Sequence, residues 1–118
     1  MYSSELLKGT LSTLILKLLD DNGRLYGYEI TQRVKDLTQS RIQLTEGALY
    51  PALHKLEAEG LLATETEYIG KRVRKYYRLT DLGKQAASDK VAEFADFVRT
   101  VLGVLNPKPG PQLGFVTP

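Results

Sequence analysis

The last helical pattern of the sequence, from Thr80 to Leu105, carries more apolar side chains than one small chain can cover. Ten of the fifteen residues from Val91 to Leu105 are apolar, and a terminal helix cannot leave such a surface in water. Six apolar residues recur at steps of four and three, the spacing of a coiled-coil seam: Ala87, Val91, Phe94, Val98, Val101 and Leu105. A chain of 118 residues buries only about 60–70% of its unfolded surface. We therefore predict that this helix pairs with a second copy of the chain.

Composition excludes several classes of protein. The absence of cysteine removes disulfides, thiolate metal sites and thiol nucleophiles, and it agrees with a reducing compartment. No apolar run reaches the roughly 20 residues of a bilayer span, and the N-terminus lacks the order of a secretion signal, so we expect a cytoplasmic protein without membrane contact. The sequence shows no carboxylate pair, no glycine-rich phosphate loop and no nucleophile beside a base, and its single histidine, His54, has no partner at ligand spacing. We expect no enzyme activity, no metal and no cofactor.

Two helices are predicted in the N-terminal part of the chain. The stretch “SSELLKGTLSTLILKLLDD” reads as one helix with Ser3 or Ser4 as its N-cap, and its surplus of leucine predicts that it is covered on two sides. Asn22 and Gly23 tolerate the left-handed backbone that closes a helix. The stretch “LYGYEITQRVKDLTQ” then predicts a second amphipathic helix, and “SRIQLT” predicts a short extended link to the next one.

A proline lies inside the third predicted helix, which begins after Thr45 and ends at Gly60. Such a proline usually costs about 3 kcal/mol. Pro51 falls in the early turns, and the carbonyl that its ring displaces belongs to Gly47, where side-chain crowding is least. The predicted inward face carries Leu49, Leu53 and Leu56. The outward face is low and smooth and carries, with Tyr50 on its flank, Gly47, Pro51, His54 and Lys55.

Two β-rich runs follow, “LLATETEYI” and “VRKYYRLT”, and “GKR” joins them as a hairpin. By strand alternation, one face of the second run packs and carries Val73, Tyr77 and Leu79, and the other face is charged and carries Arg72, Arg74, Tyr76 and Arg78. Residues 71–78 hold five cations and no acid, so the rest of the chain has 16 − 5 = 11 basic against 14 acidic residues. The formal charge of +2 is therefore a local positive charge on the hairpin.

The order of elements predicts the fold. Helix, helix, short strand, helix and two-stranded hairpin is the order of a winged helix-turn-helix, so we expect a mainly α (α+β) chain with a long C-terminal dimerisation helix. The predicted domains are a winged-helix DNA-binding domain over 1–79, the dimerisation helix over 80–105 and a tail rich in proline and glycine over 106–118, with Phe115 as its candidate anchor. In this fold the third helix enters the major groove and the hairpin, or wing, reaches the DNA backbone or the minor groove.

Several features also have a plainer interpretation. The cations of residues 71–78 can be a solvated edge that resists aggregation, and His54 can be an ordinary exposed helix residue. Tyr77 is a core candidate, whereas Tyr76 is a candidate contact to the DNA backbone. Phe94 and Phe97 can either bury in a dimer core or line a pocket for a flat hydrophobic ligand near a twofold axis. Some winged helices bind protein instead of nucleic acid, so an interaction module without DNA binding is the alternative function.

Four stretches stand together in a specific order and spacing: “LLKGTLSTLILKLL”, “YGYEI”, “EGALYPALHKLEAEGLL” and “RKYYRLT”. In these stretches, from about residue 6 to residue 83, the chain resembles the PadR family of bacterial transcriptional regulators. The resemblance implies a winged-helix repressor that is dimeric through its first and last helices and binds an operator near a promoter. Because only one helix follows the wing, the chain is similar to the small branch of the family, which implies release by aromatic or drug-like compounds near the dimer axis.

Candidate functional residues form two sets. The DNA-binding set lies on the third helix and the wing and consists of Thr45, Glu46, Gly47, Tyr50, Pro51, His54, Lys55, Lys71, Arg72, Arg74, Lys75, Tyr76 and Arg78. The set for dimerisation or an effector pocket lies on the first and last helices and consists of Leu7, Leu11, Leu14, Val91, Phe94, Phe97, Val98, Val101 and Leu105. The expected partners are operator DNA, a second copy of the chain and a small hydrophobic or aromatic effector, and the expected mechanism is occlusion of a promoter.

Overall fold

A computed structural model describes residues 2–107 of the chain. Its elements are α1 (Ser4–Lys8), α2 (Leu11–Asn22), β1 (Arg24–Tyr26), α3 (Gly27–Leu37), α4 (Glu46–Ala58), β2 (Leu62–Ile69), β3 (Arg72–Leu79) and α5 (Asp81–Leu105). The three strands form one antiparallel sheet in the order β1-β3-β2. The predicted winged helix-turn-helix with a long last helix is confirmed. Most of the predicted tail, including Phe115, lies outside the described residues.

The first predicted helix is in fact two helices. Ser3 caps α1 as predicted, with its Oγ accepting from the Leu6 amide at 3.4 Å. The helix then stops at Gly9, because glycine is a poor helix former and the Thr10 amide donates to the Leu7 carbonyl in a tight turn. The Thr10 hydroxyl donates a hydrogen bond to the Leu6 carbonyl oxygen at 2.8 Å. The prediction of one continuous helix is therefore wrong, and α1 is free to lie at its own angle to α2.

The short strand lies before α3, not after it. The prediction placed an extended link at residues 40–45, but the strand β1 is formed by Arg24–Tyr26. It pairs with the C-terminal half of β3. Leu25 is buried at 2% exposure, which anchors β1 to the core. Gly23 ends α2 with a φ of 82°, as predicted, and the Tyr26 amide donates to Glu29 Oε1 at 3.1 Å to start α3. A three-residue strand that begins next to a helix end carries too short a pattern to be seen in the sequence.

The core joins the helices to one face of the sheet. The predicted inward residues of α4 are buried, and leucines of α2 meet them together with the inward side chains of the sheet. The fully buried large side chains are Ile15, Leu16, Leu19, Leu25, Ile30, Leu49, Leu53, Leu56 and Tyr77. This single core fixes the position of α4 relative to the hairpin.

Helix α4 continues through Pro51. Thr45 is its N-cap, as predicted, and its hydroxyl oxygen accepts from the Ala48 amide at 3.2 Å. Gly60, with a φ of 79°, follows the end of the helix. Because Pro51 is exposed, its ring lies on the outer side of the helix and displaces nothing in the core.

The hairpin turns tightly at Gly70, which has a φ of 62°. Tyr77 and Leu79 face the core as predicted, but Val73 is 60% exposed, so the prediction that Val73 packs is wrong. Its cross-strand neighbour Tyr68 is 78% exposed. The outer half of the hairpin extends beyond the helices, and its inner face has nothing to pack against there.

Helix α5 begins where the hairpin ends. The Thr80 hydroxyl caps it by accepting from the Gly83 amide at 3.0 Å and donates to the Gly60 carbonyl at 2.7 Å. Thr80 therefore ties the end of β3 to the end of α4. No helix within residues 2–107 is long and apolar enough to cross a membrane.

Candidate nucleic-acid interface

The outward face of α4 is open, as its sequence predicted. Gly47, Pro51, His54 and Lys55 are exposed, and Thr45 and Glu46 are exposed at the start of the helix. An added Cβ on Gly47 would find only the Thr45 hydroxyl, 4.0 Å away. The face therefore presents little side-chain bulk over its first turns, and another surface can approach the helix backbone closely there.

Tyr50 lies on the flank of α4, half buried against the start of α3. A Cβ on Gly27 would overlap the Tyr50 hydroxyl, so the two residues are in close contact. Burial raises the pKa of the Tyr50 phenol, and the nearby Glu46 carboxylate raises it further. The Tyr50 phenol therefore stays neutral, and its ring borders the open face of α4.

An open groove of about 690 Å³ separates α4 and the start of α3 from the wing. It brings together four predicted residues, Tyr50, Arg72, Arg74 and Lys75. It also contains side chains outside the predicted set, namely Tyr26, Tyr28, Ile69, Val73 and Tyr77. The four tyrosines and three cations give the groove the composition of a surface that binds phosphate and stacks on sugars or bases.

Arginines and tyrosines interleave on the outer face of the sheet. The Arg74 guanidinium lies 4.1 Å from the centre of the Tyr26 ring, and the Tyr26 and Tyr76 rings meet edge to face with centres 5.5 Å apart. A long hydrogen bond of 3.5 Å joins Arg74 Nη1 to the Tyr76 hydroxyl and raises the pKa of Arg74. These contacts hold Arg74 at the rim of the groove, so its position is set by the two tyrosines.

Arg78 is less available than its predicted role requires. Its Nε lies 4.0 Å from Glu65 Oε2, and its Nη1 donates to the Leu79 carbonyl at 3.4 Å. Glu65 and Glu67 also contact Arg24, a residue outside the predicted set. Residues two apart share a strand face, so “TETE” contains the signal for paired acids, but only the register shows which cations they meet.

A second, apolar cleft of about 450 Å³ lies between α1 and α5. It brings together five residues predicted for dimerisation or an effector: Leu7, Phe94, Phe97, Val98 and Val101. Further lining residues outside that set include Tyr2, Leu6, Ile42 and Leu102. Ile42 belongs to the link between α3 and α4 and also packs against the core, so this cleft touches the segment that leads into α4.

Four predicted residues of the same set lie outside the cleft. Leu11 is only 7% exposed and belongs to the core of the chain, so its prediction as a dimerisation residue is wrong. It follows the turn at Gly9, which directs it inward. Leu14 and Val91 are half buried, and Leu105 is 72% exposed near the end of α5. The last turns of α5 expose further apolar side chains, with Leu102 at 52% and Val104 at 74%.

The chemistry of the described surface is that of binding. Within residues 2–107, no three histidine, aspartate or glutamate side chains come together in a group that could hold a metal ion. The two open features are a cationic groove beside an exposed helix face and an apolar cleft beside a long exposed helix. Together with the fold, they define the chain as a winged-helix protein of the class that regulates transcription.

Comparison with known proteins identifies the family. The model of the transcriptional regulator PadR-like family matches residues 15–89, and the chain belongs to this family. It is 36% identical over 89 residues to the transcriptional regulator Rv3488 of Mycobacterium tuberculosis, covering 75% of this chain and 79% of the relative. It is 35% identical over 80 residues to the negative transcriptional regulator PadR of Bacillus subtilis, covering 67% of this chain and 44% of the relative.

Solved structures agree with this assignment. A PadR family transcriptional regulator from Eggerthella lenta superposes with a TM-score of 0.76 at 34% identity and covers 88% of each chain. A transcriptional regulator from Clostridium thermocellum gives a TM-score of 0.75 at 29% identity, over 90% of this chain and 99% of the other. The chain is therefore a PadR-family transcriptional regulator and not an enzyme. Regulators of this family bind DNA and are generally dimeric.

Proposed function

We propose that the protein is a homodimeric, sequence-specific repressor that occludes a promoter by binding an operator through α4 and the wing. The observation that carries the proposal is the groove that Tyr50, on the flank of α4, shares with three wing cations. In a twofold dimer, the two α4 helices enter major grooves about one helical turn apart. The description of the Bacillus subtilis relative as a negative regulator favours repression.

Helix α4 supplies the readout of sequence. Gly47 and Pro51 keep its outer face low, so the helix backbone approaches the duplex and the amides after Thr45 donate to phosphate. Tyr50, His54 and Lys55 reach base edges, where lysine pairs with guanine. The Glu46 carboxylate at the start of the helix accepts from a cytosine amino group.

The wing supplies affinity. Lys71, Arg72, Arg74 and Lys75 contact phosphates along the backbone that borders the groove, which adds affinity without reading sequence. Tyr76 and Arg78 act behind them, since their contacts are to Arg74 and Glu65. The wing therefore sets the strength of binding and α4 sets its target.

Dimerisation buries the apolar surface of α5. Phe97 is 60% exposed, and Leu102, Val104 and Leu105 are exposed by half or more. A second copy that packs on this face removes the side chains from water at about 25 cal/mol per Å² of apolar area. The dimer also doubles the number of phosphate contacts on one duplex, which a lone chain cannot do.

An aromatic effector releases the operator by occupying the apolar cleft. Phe94 and Phe97 offer aromatic faces, and Ile42 lies in the same cleft three positions before Thr45, the cap of α4. The link behind Ile42 contains two consecutive non-glycine residues with left-handed backbones, Gln39 at a φ of 52° and Ser40 at 64°, which is a strained arrangement. A ligand that binds better to a shifted link favours an arrangement of the two α4 helices that does not fit DNA.

A gel shift with the gene's own upstream region tests the proposal. The expected result is a retarded complex that scrambled DNA of the same length does not compete away at a stated salt concentration. Sedimentation of the free protein is expected to show a dimer. A folded protein that retards neither DNA, or that sediments as one chain, contradicts the proposal and favours the interaction module.

A further inference from the structure

Two carboxylates lie on the same face of the sheet as the arginines of β3, Arg72, Arg74 and Arg78. Glu65 and Glu67 are on β2, where Glu67 pairs in register with Arg74 and Glu65 pairs with Tyr76. Both side chains are nearly half exposed. Carboxylates on a surface that meets phosphate oppose binding, because like charges repel across a low-dielectric contact. Something must neutralise them.

Arg24 reaches both carboxylates from the opposite edge of the sheet. Because β3 lies between β1 and β2, the Arg24 side chain crosses the central strand. Its Nη2 donates to Glu67 Oε2 at 2.9 Å and its Nη1 to Glu65 Oε1 at 3.4 Å, while its guanidinium carbon lies 3.9 Å from the centre of the Tyr76 ring. The hydrogen bond to Glu67 is the main cause of the raised pKa of Arg24.

The ion pairs divide the cations of this region into two groups. Arg24 and Arg78 are paired with Glu65 and Glu67. Within residues 2–107, the ion pairs include none of Lys71, Arg72, Arg74 and Lys75. Exposed ion pairs contribute little to folding stability. The consequence of the Arg24 pairing is therefore a matter of charge and wing orientation.

We propose that Arg24 is a positioning residue for DNA binding. It neutralises Glu65 and Glu67 from β1, holds the wing against the body of the protein, and leaves the four unpaired wing cations to phosphate. The proposal rests on the proposed DNA-binding function. Lysine cannot replace Arg24 fully, because a single ammonium does not present the planar fork that spans two carboxylates and stacks on Tyr76.

Substitutions that neutralise a second charge separate the local effect of Arg24 from the net charge of the chain. Arg24→Gln is expected to weaken binding to a DNA duplex of unrelated sequence by about three- to tenfold at low salt, because Glu67 is then uncompensated. The double variant R24Q/E67Q has the net charge of the native chain and is expected to recover affinity in part, because the uncompensated carboxylate is removed while the bridge from β1 to the wing stays absent. The control R24Q/E59Q has the same net charge, but Glu59 lies exposed at the end of α4 and is expected to leave the loss uncorrected.

Each outcome decides the proposal. Equal recovery by E67Q and E59Q means that Arg24 acts only through net charge, and no loss in R24Q means that it does not act at all; either result overturns the proposal. Hydrogen exchange of β2 amides in the free protein gives a readout without DNA, with faster exchange expected in R24Q and an intermediate rate in Arg24→Lys. If the native chain binds no DNA, the proposed function fails, whereas unchanged exchange in both variants overturns the Arg24 proposal itself.

Discussion

The hydroxyl of Tyr50 occupies the space where a side chain on Gly27 would begin, so the first residue of α3 and the flank of α4 meet without a Cβ between them. A second glycine has a different neighbour. A Cβ on Gly83 would overlap the backbone carbonyl oxygen of Leu61. At Gly27 the overlap is with the end of the Tyr50 side chain, which can rotate away. At Gly83 it is with the backbone of Leu61, which can shift only if the hairpin and α5 shift with it.

This difference predicts unequal costs for two alanine substitutions. Gly83→Ala should lower the free energy of unfolding by about 2–3 kcal/mol, and Gly27→Ala by less than about 1 kcal/mol, because Tyr50 swings away. Urea unfolding of the two variants measures both values. Equal losses would show that the Tyr50 ring is as immobile as the backbone.

The burial of Tyr50 predicts a pH dependence at the alkaline end. Its pKa is raised above 10.0, so the stability from the neutral phenol is complete below pH 10.0 and is lost as the pH rises through the pKa of the folded state. The native chain should therefore lose more stability above pH 10.0 than Tyr50→Phe, which has no ionisable group there. Urea unfolding of both proteins at increasing pH gives the comparison, and parallel curves would contradict the assignment.

The sequence predicted the elements that carry a long or repeated pattern. The leucines of α4 recur over several turns, and residues 87–105 of α5 keep one spacing throughout, so both helices were found with nearly correct ends. It missed the break at Gly9, because a single glycine within a leucine-rich run is a weak signal. The exposure of Val73 could not be predicted either. The alternation of residues along a strand shows which face each side chain is on, but it does not show whether another element covers that face.

The candidate DNA-binding surface follows from the sequence only in part, for the same reason. The outward residues of α4 follow from helix geometry and were placed correctly. The pairing of Glu65 with Arg24 and Arg78 depends on strand register and on the position of β1, and neither can be read from local residues. The cations of the wing were therefore counted as equal, although the structure divides them into paired and unpaired groups.

Substitution of Gly47 should change the stability of the protein and its affinity for DNA in opposite directions. Gly47→Ala should raise the free energy of unfolding by about 0.5–1 kcal/mol, because alanine is the better helix former and its Cβ meets open space. Operator affinity should fall in the same variant, because a methyl group then stands between the helix backbone and the duplex. Thermal unfolding and a gel shift on one preparation measure both quantities. A more stable variant with native affinity would place the DNA elsewhere.

Substitutions in the wing and in α4 should have different effects on DNA binding. Replacing Arg72 and Arg74 with alanine should weaken binding to all sequences and reduce the slope of log affinity against log salt by about 1.8, since two phosphate contacts are lost. Substitutions of Tyr50 or His54 should change which operator bases are preferred. The control K17A/K84A removes the same charge from α2 and α5 and should keep the slope. Loss of both affinity and preference in both sets would refute the division.

The apolar cleft should bind a planar aromatic dye, and Phe94 should be required for that binding. Phe94→Ala removes an aromatic face from the lining, so saturable quenching of the dye should disappear. It should persist in Leu82→Ala, whose exposed side chain lies in the first turn of α5 outside the cleft.

Ile42→Ala tests the route to DNA, because this residue connects the cleft to the cap of α4. Dye binding should continue in that variant, while the dye should release less operator than it does from the native chain. If Ile42→Ala releases operator as fully as the native chain, the signal does not pass through the α3–α4 link.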